Sequence, residues 1–404
     1  MDAVGSTGAG RVRPHALELL DSLVAYLRNA AVNRLNVHYA VHALASGAGG
    51  VFFGVFLLRA GVSAAGVLVV LTAILAGRFA VRPVVLPLAI RFGLRPLVVT
   101  GAVLVAAQYP ILARVHGVDF ALLALCIVSA VGESFYWTCY HAYFAAVGDH
   151  EHRGHQISAR EALASVIGIA APLLGGWALA RLGAKTAFGA VALVQALSAL
   201  PLFGAPNLAV ARVADGALRA SFDGIAIFAA DGWISAGFVM VWQIALFVTL
   251  GQSFTAFGGA MALAALVGAV SGLFLGRAID LGGGPRAAPL ALGAIALTML
   301  LRASSLDHPA LAVLANALGA FAGLLYMPTL MTPIYNLAKR SPCPLRFHIA
   351  TEGAFDVGAG SSMLLAALVL ALGGSMAIAL LIPVSGAGAV YVLLRRYYGA
   401  TELG

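Results

Sequence analysis

Charge is what this sequence has least of. Only 10% of its 404 residues are charged and 61% are hydrophobic, against about 25% and 45–50% in ordinary soluble domains. Mean hydropathy is +0.97. So little charge excludes a soluble surface, a solvated disordered chain and the basic footprint of a nucleic-acid binder. Lysine is almost missing: Lys185 and Lys339 stand against a large majority of arginine. The net charge of +8 therefore reads as a membrane-topology signal. Cysteine is equally sparse, and Cys126, Cys139 and Cys343 fit neither a metal spacing nor a disulfide framework. The opening MDAVGSTGAGRVRPH has no early apolar region, so no secretory signal is predicted. No nucleophile triad, phosphate loop or cofactor box is visible, so neither enzyme activity nor a cofactor is expected.

What is abundant is apolar sequence in lengths of about 20 residues, enough for a bilayer crossing. Twelve spans are predicted: 36–58, 62–89, 94–114, 118–147, 157–181, 186–205, 227–250, 254–279, 286–303, 309–337, 348–371 and 374–394. Ahead of them, Pro14 to Leu35 alternates Ala16, Leu20, Leu23, Leu27 and Ala31 with Glu18, Asp21, Arg28 and Arg34. This predicts an amphipathic helix on the cytoplasmic interface. The longest polar break, 207–223, predicts a linker between halves at 36–206 and 224–398, with a tail at 399–404. Placing the N-terminus in the cytoplasm puts most arginines inside, including Arg91, Arg95, Arg153, Arg212, Arg286, Arg346 and Arg395. The positive-inside rule then predicts both termini cytoplasmic. Arg59, Arg114, Arg181, Lys185 and Arg302 fall outside.

The two halves align at an offset of about 190 residues. Gly61 falls on Gly251, Gly93 on Gly283, Tyr136 on Tyr326 and, one residue further, Glu161 on Glu352. Repeated six-helix halves are a transporter architecture with the site at the midplane between them. After the eighth span, GRAIDLGGGPR places Gly276, Asp280, Gly283 and Arg286 in a loop pattern. After the second span, Arg91, Gly93 and Arg95 keep part of that pattern, with Ile90 in place of the aspartate. In the fifth, GIAAPLLGG carries Gly168, Pro172, Gly175 and Gly176.

On these motifs the sequence resembles the major facilitator superfamily over about residues 36–398. The resemblance implies an all-α integral membrane protein of twelve transmembrane helices in two pseudo-symmetric six-helix halves. It also implies a central cavity lined by helices 1, 4, 7 and 10. The fifth-span motif resembles that of the family's antiporters; small residues also serve plain helix packing.

Ionisable groups inside spans cost several kcal/mol, about 2.5–3.5 by the lower estimates, and usually face a cavity or a partner. Here they are His38, His42, Arg78, Arg82, Glu133, His141, Asp231, Glu352 and Asp356. Glu133, Trp137 and His141 share one face of the fourth span with Tyr136 and Tyr140. A carboxylate set among rings can exchange a proton, because desolvation disfavours the charged form. The rings suit a flat or cationic solute. His38, His42, His141 and Asp231 are expected to converge at the cytoplasmic side of the cavity, as a proton path. The His38–His42 spacing leaves metal ligation open as the weaker alternative. His150, His152 and His155 read as a solvated loop. Trp242 and Gln243 of the seventh span, and Asn316, Tyr326 and Thr329 of the tenth, are further cavity candidates; Pro328 and Pro333 suit a kinked, moving tenth helix.

Arg78 and Arg82 lie one turn apart on the second span, and Glu352 and Asp356 one turn apart on the eleventh. At about 1.5 Å per residue, Arg82 is roughly 10 Å from Ala89 and Asp356 roughly 12 Å from His348. The family packs these two helices together, so an ionic gate is predicted: Arg82 with Glu352 and Arg78 with Asp356, or crossed. By the same packing, the eighth span at Gly268 and Gly272 should meet the fifth through small residues. The expected protein is a proton-coupled transporter of the bacterial inner membrane, most simply a monomer. It would export a small amphipathic organic solute by proton antiport. Its partners would be that solute, protons and the lipid bilayer. Proton-coupled import, carriage of a metal or its chelate, and a non-transporting scaffold or receptor are the alternatives.

Overall fold

A bilayer offers no hydrogen bonds to a backbone, so a spanning chain must satisfy its own amides. The computed structural model describes residues 29–147, 153–280 and 284–401, and these are helices joined by turns. They form α1 (Ala30–Arg59), α2 (Ala64–Phe92), α3 (Leu94–Leu112), α4 (Phe120–Val147), α5 (Arg153–Arg181) and α6 (Gly183–Phe203). The second set is α7 (Arg219–Thr249), α8 (Phe254–Asp280), α9 (Gly284–Ser304), α10 (Pro309–Arg340), α11 (Pro344–Ala371) and α12 (Met376–Tyr398). Among the described residues, 11 helices are long and apolar enough to cross a membrane; α5 adds the shorter apolar stretch Val166–Arg181.

Local chemistry sets the ends. Asn29 caps α1 by accepting from the Val32 amide at 3.0 Å, so this helix begins at Ala30, six residues ahead of the predicted span. The rest of the expected amphipathic segment, residues 1–28, lies outside the described residues. Ser63 and Ser375 cap α2 and α12 in the same way. Pro309 and Pro344 open α10 and α11, where a missing amide hydrogen does no harm. Gly93, at φ +82°, makes the reversal between α2 and α3. Asn207 packs against it and donates to the Phe92 carbonyl at 2.8 Å. Arg95 donates to the Ala205 carbonyl at 2.9 Å, so the segment after α6 is tied to this turn.

Helices distant in sequence meet in two places that matter for the site: α5 packs on α8, and α2 packs on α11. The α5–α8 contact is backbone against backbone. A methyl at Gly176 would run into the Phe254 carbonyl oxygen, and one at Gly258 into that of Pro172. Gly175 faces Ala48 of α1 in the same manner. The small residues of the α5 motif thus serve close helix approach. A methyl at Gly268 or Gly272 would point to Ala320 or Leu324 of α10; the α5 side chains expected opposite these glycines lie outside the described residues. The α2–α11 contact is instead made by charge.

One irregularity was not expected. Residues Ala236–Val241 of α7 form a π-helical turn. Arg302, expected in an outer loop, is 3% exposed. It folds back from α9 to donate to the Phe238 carbonyl at 2.6 Å and lies over the Phe238 and Trp242 rings. The π turn and the two ring faces give this cation its setting.

Candidate functional site

A cavity of about 260 Å³ opens at the middle of the bundle between α1, α2, α3, α4, α7 and α11. Its polar wall is His42, Ser46, Arg78, Gln108, Tyr109, Glu133 and Gln243; Trp137, Phe53 and Met240 supply apolar surface. Of the expected cavity residues, Trp137 and Gln243 line it. Tyr136, Tyr140, Trp242, Asn316, Tyr326 and Thr329 do not, because each is taken up in helix packing. Trp242 donates to Asn316 Oδ1 at 2.9 Å, and Asn316 donates to the Ala260 carbonyl at 3.0 Å. Thr329 bonds back to the Leu325 carbonyl of its own helix. Tyr136 and Tyr140 are fully buried in a stack of rings with His38 and His42.

The charged cluster begins at the cavity wall and runs into the α2–α11 contact. Arg78 Nη1 donates to Glu133 Oε2 at 2.8 Å, and Arg78 Nη2 lies 3.2 Å from Asp356 Oδ1. Arg82 Nη1 donates to Glu352 Oε2 at 2.6 Å and to Thr138 Oγ1 at 2.8 Å; its Nη2 donates to Asp356 Oδ2. Glu133 is thus set not only among rings but against a cation. Arg78 is shared between α4 and α11, because one guanidinium can serve two carboxylates at once.

Two histidines close the cluster. His141 Nε2 is 4.0 Å from Glu352 Oε1, and its ring stacks on buried His348 at 5.8 Å between centroids. His348 was not singled out in the sequence, yet it precedes Glu352 and Asp356 by one and two turns, which puts all three on one helix face. Glu352 Oε1 is buried and accepts no hydrogen bond, and Asp356 Oδ1 has only the ion pair with Arg78.

The expected convergence of His38, His42, His141 and Asp231 is not what the structure has. His38 shares hydrogen bonds with the Ser198 carbonyl at 2.7 Å and Tyr136 Oη at 3.0 Å. His42 does so with Gln195 Oε1 at 3.0 Å and Ser46 Oγ at 3.3 Å. With all four ring nitrogens so placed, the pair is a hydrogen-bonded strut between α1, α4 and α6. No group of three or more metal-ligating side chains occurs among the described residues. Asp231 sits apart, accepting from Tyr326 Oη at 2.7 Å between α7 and α10. Tyr136 and Tyr326, equivalent in the repeat, thus each reach from their helix to the first helix of their own half.

Of the loop motifs, Arg91 stacks on Phe92 at 5.1 Å, and Gly93 and Arg95 hold the α2–α3 turn. Gly283 lies outside the described residues, as do the surroundings of Gly276, Asp280 and Arg286 and the side chains of His150, His152 and His155. A methyl group at Gly168 would lie 3.6 Å from Ala265 Cβ of α8.

A bundle of helices long and apolar enough to cross a membrane, around a cavity with charged walls, defines the class of multi-pass membrane protein. The chain belongs to the Major Facilitator Superfamily, whose profile matches residues 35–346, and is therefore a secondary transporter by family. A search of curated protein sequences finds no relative. Among solved structures, it is similar in fold to the human organic anion transporter MFSD10 (TETRAN), with 18% identity, a TM-score of 0.66 and coverage of 90% of this chain and 99% of that one. The transporter FucP in its outward conformation matches at 14% identity and TM-score 0.64, over 92% and 99% of the two chains. A POT family transporter bound to a thioalcohol-conjugated peptide matches at 10% and 0.66, over 91% and 96%. At these identities the likeness is one of fold.

Proposed function

We propose that the protein is a proton-coupled secondary transporter working by alternating access, exporting a small amphipathic organic solute by proton antiport. The observation that carries this reading is a charge count. Arg78 and Arg82 face Glu133, Glu352 and Asp356, so two guanidiniums meet three carboxylates. One negative charge is left over in a site where uncompensated charge is costly. A proton on the cluster removes it. Glu352 Oε1 and the neighbouring His141 and His348 offer places for that proton.

The cluster also spans the contact between α2 and α11. Breaking Arg82 from Glu352 and Asp356 frees that contact, so protonation biases which end of the bundle is open. The halves at 36–206 and 224–398 would rock about the cavity, joined by 207–223, with both termini cytoplasmic in a bacterial inner membrane and the protein acting as a monomer. The α5 motif of Gly168, Pro172, Gly175 and Gly176 supports antiport by its resemblance.

The test is proton movement in proteoliposomes carrying a trapped pH dye, with a panel of small amphipathic cations, anions and neutral solutes. The expected result is proton flux opposite in direction to the flux of at least one solute. Solute transport with no proton movement in either direction contradicts the reading.

A further inference from the structure

Of the three carboxylates in the cluster, Glu133 is the one a solute can reach. Its side chain is 28% exposed, against 9% for Glu352 and 0% for Asp356. It forms part of the cavity wall beside Trp137, Tyr109 and Phe53, and its ion-pair partner is Arg78. Arg78 has a second carboxylate within reach, since its Nη2 is 3.2 Å from Asp356 Oδ1. It can therefore give up Glu133 without becoming an unpaired buried cation.

We propose that the transported solute is a monovalent organic cation of one or two rings, which takes the place of Arg78 on Glu133 and expels one proton from the cluster. The inference rests on the reading that the cluster carries the coupling proton. Its logic is electroneutrality in a site of low dielectric. With neither proton nor cation, the five groups sum to −1, counting Arg78, Arg82, Glu133, Glu352 and Asp356. With a proton they sum to zero, and with a monovalent cation they also sum to zero. With both they carry +1. Only the two singly occupied states are balanced, so cation and proton exclude one another and exchange one for one. An anion would deepen the deficit and a neutral solute would displace nothing.

The geometry gives the route. A cation on Glu133 leaves Arg78 to Asp356 and Arg82 to Glu352, two pairs with no carboxylate to spare. Arg78 pairs with Glu133, and His42 and Tyr109 are the other titratable groups on the wall of its cavity; those around the two α11 acids are Arg78, Arg82, His141 and His348. Trp137, Tyr109 and Phe53 also line the cavity, and an aromatic lining favours an organic cation through cation–π contact. A cavity of about 260 Å³ lies just under the usual ~300–1,000 Å³ of drug-sized sites, which limits the solute to small ring systems.

The experiment is calorimetric titration of the purified full-length protein with N-methyl-phenylpyridinium, in two buffers of different ionisation enthalpy. Biphenylcarboxylate serves as the anion of like size. The expected result is about one proton released per cation bound, and an affinity that falls about tenfold per unit of acidification over the range where the cluster takes up its proton. Glu133→Gln should bind the cation at least tenfold more weakly. Failure of the cation to bind, or binding with no proton released, overturns the inference even if every variant is unstable. Binding of the carboxylate with proton uptake overturns the cation class and leaves the proton-coupled reading standing. If solute moves across the membrane without protons, that reading falls as well.

Discussion

Arg78 holds Glu133 at 2.8 Å, and that pair joins the solute cavity to the charged contact between α2 and α11. Through its other nitrogen the same arginine reaches Asp356 at 3.2 Å. What happens on the cavity wall is thus felt, one side chain further, by Arg82 and Glu352. The coupling needs no long relay, because every member is in contact with the next.

Charge reversal probes the α2–α11 contact. Arg82→Glu alone sets four carboxylates against one arginine, and removing one partner of a buried pair costs roughly 3–5 kcal/mol. Transport should be lost and the melting temperature should drop. Adding Glu352→Arg should restore part of both, but not all, since Arg82 also serves Asp356 and Thr138. A double variant no better than the worse single one would remove the pairing from the account.

The α5–α8 contact leaves no room for a methyl group at Gly176 or Gly258. Gly176→Ala should cost about 1–3 kcal/mol by overpacking and force α5 from α8 near Phe254. Phe257 is fully buried there, in a cluster of rings with Phe52 and Phe247. In a cysteine-free background, Phe257→Cys should react several-fold faster with a polar thiol reagent when Gly176→Ala is also present. Equal rates would mean that this end of the bundle is not held by the glycine contact.

Tyr136 and Tyr326 occupy equivalent places in the repeat but bond to different partners. Tyr326→Phe strands a buried carboxylate, Asp231, and should cost about 1–3 kcal/mol. Tyr136→Phe removes a bond to His38, whose ring keeps its contact with the Ser198 carbonyl, and should cost about 0.5–1.5 kcal/mol. Thermal unfolding of the two variants gives the comparison, and a larger loss at Tyr136 would reverse the assignment.

Outside the membrane, Asp119 accepts from the His116 and Leu122 amides at 2.9 and 2.8 Å. These backbone hydrogen bonds hold its carboxyl below the usual range. A depressed folded-state pKa gives stability that is present above the unfolded value, near 3.9, and is lost as pH falls through the folded one. The melting-temperature gap between wild type and Asp119→Ala should therefore persist at neutral pH and close in acid below about pH 4. A gap that widens in acid would contradict the sign.

The spans were legible in the sequence because hydrophobic length is a one-dimensional property; charges in a span call for partners, but that α2 would meet α11 came from the family resemblance. Details that depend on three dimensions were not. Arg302 sits at a span end and reads as a loop charge; it is buried with a hydrogen bond to the Phe238 carbonyl in the π turn at Ala236–Val241, for which local composition gives no sign. Glu133 reads as isolated because Arg78 had already been matched to α11 by its spacing with Arg82. The rings of Tyr136 and Tyr140 share a face with Glu133 and Trp137, yet a face a hundred degrees wide can meet both a cavity and a neighbouring helix. Trp137 meets the cavity, whereas the two tyrosines meet His38 and His42.

The central claim is that the excess carboxylate of the cluster carries the coupling proton. Glu133→Gln removes that excess and leaves two arginines against two acids. In proteoliposomes, the variant should lose solute movement driven by a pH gradient, and any solute-for-solute exchange it keeps at equal pH should need about tenfold more solute and be independent of pH. A Glu133→Gln protein, present at wild-type level, that still concentrates solute against its gradient when a pH difference is imposed would contradict the account.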